Sequence, residues 1–415
     1  MGHEFRNDIS MEQVDREISE YLERDFSSEN LGAYADACRK TAWKIVEMIS
    51  DRGGEPVTVL LPSRGAVPFI IGAIKAIKED PGINSFVKEA FGTDNLVELP
   101  PLACFDTFRE QKAQGQKPLV RILILPFTAD ASFPDKKNRE IVDGMRQFMT
   151  RVAVEMLFKP PNKRTGKEFR LYLDFLKEVE GRKGLADFYE RFQPVKRGEP
   201  VLFIDTVVSG RASHTILSEF ERLGVDLGYE PFNQMVPLLI VDDNGRRLKD
   251  IFRKYVDVYT HTDTESVIKM PKIISEDRGA ALLGVCAVIY ENLIVNAIEN
   301  RVCGDVAPCF GTWHDVPRSE SGVYSSLFNK FINLVGMKIS GRVEGFEQER
   351  TNFLRELKSY DVLTPNANMT LSEVEEFFKV GMPFKSARET GSHIVQIRFT
   401  DEGAHKTVEK ICRNV

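Results

Sequence analysis

Val-Leu-Phe-Ile-Asp-Thr-Val-Val-Ser-Gly-Arg-Ala-Ser, residues 201–213, is an apolar run that meets an acid, passes through small and hydroxyl residues, and enters a helical pattern. A continuous apolar run of this length reads as a strand buried on both faces of a parallel sheet. A turn of small residues behind it lets backbone N–H groups converge on an anion. An acid at the end of such a strand stands where open α/β sheets bind ligands. The stretch therefore predicts a sugar-phosphate site, with phosphate on Ser209 to Ser213 and ribose hydroxyls on Asp205.

Similar units lie on either side. Val57 to Leu61 is a strand, followed by the turn Ser63-Arg64-Gly65 and an apolar helix over Val67 to Ile77. Leu102 to Phe105, Val120 to Leu125, Val236 to Val241 and Tyr255 to Tyr259 are further strand candidates. Thr215 to Leu223 is a helix. Residues 11–51 carry a helical stripe of Ala33, Ala37, Trp43, Ile45, Val46 and Ile49 that Gly53-Gly54 stops. Strands alternating with helices predict a right-handed, parallel α/β sheet. Residues 127–198 run helical, broken at Pro160-Pro161 and again between Gly181 and Gly184, and read as an inserted helical subdomain.

The expected organisation is an N-terminal helical segment (1–56), an α/β core (57–300) holding that insertion, a connecting region (301–342) and a small α+β module (343–415). In that module Phe353 to Leu357 is a helix candidate. Thr370-Leu371-Ser372-Glu373 is a capping box, and His393 to Thr400 alternates as a strand. Ile397 to Gly403 with the helix behind it resembles the wing and last helix of winged-helix domains.

The 415 residues are enough for two or three domains. A formal net charge of -6 supplies no global basic field for nucleic acid. The six cysteines are scattered, without a disulfide framework, which fits a reducing compartment. Cys303, Cys309 and His314 lie close together, but no fourth ligand at metal spacing follows, so no protein-held metal site is expected. The most apolar stretch, Ala280 to Ile298, is interrupted by Glu291, Asn292 and Asn296, and reads as a buried helix rather than a membrane span. With a polar N-terminus, the expectation is a cytoplasmic protein without a membrane partner.

A third motif is the polar loop Phe108-Arg109-Glu110-Gln111-Lys112-Ala113-Gln114-Gly115 between two strand candidates. Its cations suit closure over a leaving group that gains negative charge. Together the three motifs resemble the type I phosphoribosyltransferases, which use phosphoribosyl pyrophosphate (PRPP). The likeness covers roughly residues 57–126 and 200–260. It implies an α/β fold of that family's type: a parallel sheet flanked by helices, with the helical insertion and the small α+β C-terminal module as additions. It also implies Asp205 and Thr206 at the ribose, and Ser209, Gly210, Arg211, Ala212 and Ser213 around the 5′-phosphate. Ser63, Arg64 and Gly65 would bind pyrophosphate, while Arg109 and Lys112 of a mobile catalytic loop would stabilise the leaving group. Mg²⁺ is the implied cofactor.

The chain departs from the family pattern at Thr206, where a second acid is usual, and at Arg211, where a glycine is expected. The expected activity is transfer of phosphoribose to an unidentified acceptor with release of pyrophosphate. Two alternatives stay open. One is a non-catalytic sensor of PRPP or a nucleotide whose tail binds DNA or a protein partner, and the other is an effector of a bacterial defence or toxin system. Trp313 to Pro317 carries a faint likeness to phosphoribosyltransferase-like proteins of bacterial conflict systems. A homo-oligomer is compatible with each.

Overall fold

The computed structural model describes residues 20, 23–24, 26–62, 66–92, 96–100, 118–125, 127, 136–178, 183–207, 210–227, 234–241, 250, 267–269 and 318–359. In chain order the elements are α1 (Ser28–Asp51), β1 (Val57–Leu61), α2 (Ala66–Glu79), α3 (Pro81–Phe91), β2 (Val97–Glu98) and β3 (Val120–Ile124). There follow α4 (Lys136–Phe158), α5 (Lys167–Glu178), α6 (Lys183–Arg191), β4 (Val201–Val207) and α7 (Arg211–Leu227). The chain continues through β5 (Met235–Val241), β6 (Val267–Lys269), α8 (Arg318–Ile339) and α9 (Phe346–Ser359).

The six strands form one parallel sheet in the order β2-β3-β1-β4-β5-β6. Every residue of β1 and β3 is buried, as is all of β4 except the half-buried Thr206. That pattern marks a sheet covered on both faces. Pro237 sits in β5 opposite Phe203, and β6 joins β5 only from Leu239 onward, beyond the residue that lacks an N–H.

The order β3-β1-β4 fixes the layers. After β1 the chain moves to the β2/β3 side, whereas β3 to β4 and β4 to β5 both move the other way. Right-handed crossovers in opposite directions put α2 on one face and α4 to α7 on the other. The packing follows this division: α1, α2 and α8 pack on one another, while α4 packs on α7 and α5, and α5 on α6.

Local chemistry explains the boundaries. Ser27 caps α1 by accepting from the Asn30 amide at 3.2 Å, so the predicted stripe lies in a helix that starts at Ser28. The helix ends where the Gly54 amide reaches the Ile49 carbonyl. Asp80 caps α3 through the Gly82 and Ile83 amides, with Pro81 in the first turn and Gly92 closing the helix at φ 67°. Helix α2 is buried almost all round because sheet, α1 and α8 enclose it. At Gly72 a Cβ would stand 2.3 Å from the Cys38 sulfur, so the α1–α2 approach depends on that hydrogen. Tyr34 of α1 stacks on Phe69 of α2 at 4.5 Å, and Phe331 of α8 meets Tyr34 edge-on at 5.0 Å.

Residues 318–339, assigned by sequence to a connecting region, thus form a helix against α1 and α2. Phe353 of α9 packs on Phe26 at 5.3 Å. The strand candidates Leu102 to Phe105 and Tyr255 to Tyr259, the helix candidate Ala280 to Ile298, Cys303, Cys309, His314 and the tail from residue 360 lie outside the described residues.

One side chain ties the insertion together. Arg164 donates through Nε to the Glu155 and Lys159 carbonyls, each at 3.0 Å, and through Nη1 to those of Tyr189 (3.0 Å) and Glu190 (2.9 Å). Its Nη2 serves Met156 at 2.9 Å and also Phe192. One guanidinium therefore satisfies the carboxyl ends of both α4 and α6, groups that a helix leaves without internal donors. Burial pulls this guanidinium down to about 10, against the opposing field of Glu155. Arg164→Met keeps comparable bulk and removes every donor. It should lower stability by about 3 kcal/mol or more in a urea titration, since several buried carbonyls lose their partner at once. An unchanged midpoint would contradict the staple.

Candidate functional site

Strand β4 extends through Asp205 and Thr206 to Val207, and α7 begins at Arg211. The helix therefore starts four residues before the sequence pattern suggests. Gly210 makes this possible: at φ 80° it turns the chain within one residue, and its carbonyl accepts the first helical bond from the His214 amide at 3.0 Å. Arg211, Ala212 and Ser213, expected as a loop, form the first turn of α7. Amides of a helix's first turn have no acceptor inside the helix and carry the positive end of its dipole.

Asp205 lies beneath this turn and is 1% exposed. Its Oδ2 accepts from the Ser213 hydroxyl at 2.6 Å and its Oδ1 from the Thr206 amide at 2.8 Å. The carboxylate thus braces the turn from strand to helix. Ser213 is buried with it. Successive strand residues face opposite sides, so Thr206 faces away from the Asp205 side.

The insertion supplies groups that sequence reading did not single out. Arg211 Nη2 lies 2.5 Å from Asp143 Oδ2, and Arg146 Nη1 lies 3.0 Å from Asp143 Oδ1. Thr215, one turn after Arg211, places its hydroxyl 3.5 Å from the same Oδ1 and donates to the Arg211 carbonyl at 3.0 Å. The Arg146 side chain is buried, and its Nε has no hydrogen-bond partner among the described residues. Burial lowers its affinity for the proton, while Asp143 and Asp205 raise it and Arg211 lowers it further. Asp143 and Arg146 are three residues apart on α4, a spacing common on solvated helix faces. Nothing in that spacing signals that α7 will cover them.

Further along the same seam, Arg151 of α4 bridges Glu168 of α5 at 2.9 Å and Glu219 of α7 at 3.4 Å. The Tyr189 hydroxyl of α6 donates to the Ile124 carbonyl, the last residue of β3, at 2.5 Å. The insertion is therefore docked on the carboxyl-terminal edge of the sheet as well as on α7.

Strand β1 is hydrogen-bonded to β4, with Thr58 opposite Val201 and Leu60 opposite Phe203. The chain leaves both strands at the same edge of the sheet, and the helices that follow go to opposite faces. Open α/β sheets form their ligand crevice at such a switch point. Of the residues singled out by sequence, Asp205, Thr206, Gly210, Arg211, Ala212 and Ser213 are gathered at this edge. Ser63, Arg64, Gly65, Arg109, Lys112 and Ser209 lie outside the described residues. Among the described residues no cluster of three or more His, Cys, Asp or Glu side chains is arranged to hold a metal ion. No described helix is long and apolar enough to cross a membrane.

No protein-family model, curated protein or solved structure matches this chain. The geometry of the edge is thus the ground on which function is read. Ser213→Ala removes a hydroxyl donor from a buried carboxylate and should cost about 1–3 kcal/mol in chemical denaturation. Stability equal to that of the native chain would show that the Asp205–Ser213 contact does not brace the turn.

Proposed function

We propose that the chain is a PRPP-dependent, phosphoribosyltransferase-like protein that transfers phosphoribose to an acceptor and releases pyrophosphate. The observation that carries the reading is the Gly210 turn with Asp205 locked beneath it, at the switch point between β1 and β4. A phosphate monoester fits the first turn of α7, where amides and the helix dipole favour an anion. Arg211 brings a guanidinium to the same turn.

In this reading the 5′-phosphate rests on residues 209–213, and the ribose lies toward the ends of β4 and β1. The pyrophosphate would lie over the Ser63-Arg64-Gly65 turn, with Arg109 and Lys112 supplying positive charge as it departs. Asp205 acts chiefly by holding the turn in shape, and the hydroxyls of the sugar meet Thr206 and the rim of the strand. The protein's contribution is orientation of the acceptor opposite the leaving group. Mg²⁺ typically keeps several waters and uses substrate phosphates as ligands, so it would arrive with PRPP and need no three-carboxylate cage. When bound it neutralises charge on the pyrophosphate.

The burial of Asp205 affects the choice of variant. Asp205→Ala would remove two hydrogen bonds from the turn and unsettle the fold. Asp205→Asn keeps an acceptor and changes the charge. Calorimetric titration of PRPP with Mg²⁺ should give a binding heat for the native protein that is at least tenfold weaker in affinity for Asp205→Asn, equivalent to about 1.4 kcal/mol. Absence of heat with the native protein would overturn the ligand assignment.

A second reading is a PRPP or nucleotide sensor without turnover. It is favoured by the inward commitment of the Asp205 carboxylate and by Arg211 being engaged with Asp143. PRPP binding without pyrophosphate release across a panel of nitrogenous bases would select it.

A further inference from the structure

Two arginines, a hydroxyl and a carboxylate meet where α4 crosses the first turn of α7. Asp143 accepts from Arg211 and Arg146, with the Thr215 hydroxyl 3.5 Å away, so one acid gathers donors from two helices. An oxygen-rich anion clasped by paired guanidinium groups is how proteins hold phosphate. The Arg146 side chain is 1% exposed and its Nε has no partner among the described residues, so the cluster has a donor to give.

Competition for donors decides what happens when another anion arrives. A phosphate that takes the guanidinium donors now held by a carboxylate has to displace that carboxylate. Asp205 is held by Ser213 and by the Thr206 amide, and is buried at 1%. The Asp143 side chain is 29% exposed, and among the described residues its donors are Arg211 and Arg146. It lies on α4, outside the β4–α7 unit that forms the turn.

We propose that Arg146, Arg211 and Thr215 form a phosphate-monoester subsite in which the Asp143 carboxylate is an internal stand-in, displaced when the phosphate of a phosphorylated pentose binds. This rests on the PRPP reading above and assigns its phosphate end to residues of the insertion. Binding is then coupled to a shift of the early turns of α4, because Asp143, which lies there, has to leave the arginine donors that the phosphate takes. The insertion becomes a part of the site that reports occupancy.

Calorimetry with ribose 5-phosphate tests the idea on the native chain, on Asp143→Asn and on Asp143→Asn combined with Arg211→Ala, each checked by circular dichroism. Asp143→Asn should tighten binding about tenfold, because the competing charge is gone. The added Arg211→Ala should cancel the gain. Unchanged or weaker affinity in folded Asp143→Asn, with native binding intact, overturns the subsite and leaves the PRPP reading standing. No binding of ribose 5-phosphate or PRPP to native protein or either variant overturns both.

The native protein supplies an independent measurement. Carbodiimide labelling of Asp143, read by mass spectrometry, should rise at saturating ribose 5-phosphate as the carboxylate leaves its arginines. Labelling that stays constant or falls at saturation overturns the displacement, whether or not the Asn variant folds.

Discussion

The hydrogen-bonded pairing of β1 with β4 is the constraint on which the other features depend. Each strand is followed by a right-handed crossover, and the crossovers travel in opposite directions. The helices must therefore part to opposite faces, the arrangement in which open α/β sheets form a ligand crevice. The Gly210 turn lies where they part. The same pairing makes the insertion between β3 and β4 cross the sheet on the α7 side, which brings Asp143 and Arg146 against the first turn of α7.

Much of this was legible in the residues. Mainly apolar runs at 57–61 and 120–125, broken only by Thr58 and Arg121, and the continuous run at 201–204 announced a sheet covered on both faces, because burial on both sides removes any need for alternation. The breaks at Pro160 and Gly54 marked helix ends for ordinary stereochemical reasons. The start of α7 was harder to see: Arg211-Ala-Ser has the polarity of a loop, and a single left-handed glycine converts it into a helical turn. Asp205 stood out as the acid at the end of its strand. Its commitment to Ser213 was hidden, because an acid and a hydroxyl eight residues apart meet only once a strand and a helix have turned back to back.

Ion pairs outside the crevice perform a different task. Arg121 at the start of β3 pairs with Glu199 just before β4 at 2.5 Å and donates to the Gln193 carbonyl at 2.7 Å. These groups sit at the amino-terminal edge of the sheet, away from the crevice. Arg121 also lies over the Phe192 ring at 5.4 Å. Buried pairs of this kind hold register and docking more than they add net stability. With Arg164 clamping the ends of α4 and α6, they brace the insertion at its far side and leave its α7 side as the place where a carboxylate can move.

Helix α8 has a consequence for how the chain is made. It covers α1 and α2, yet about 240 residues separate its start from the end of α2. At ~5–20 residues per second, a ribosome needs tens of seconds to cross that interval. Throughout it, the surfaces that later receive Phe331 and Val335 lack their cover. The nascent sheet would carry a sticky helical flank until residue 339 clears the exit tunnel, which makes this flank a natural client for a holding chaperone. Fragments that stop short of α8 would carry the same liability permanently.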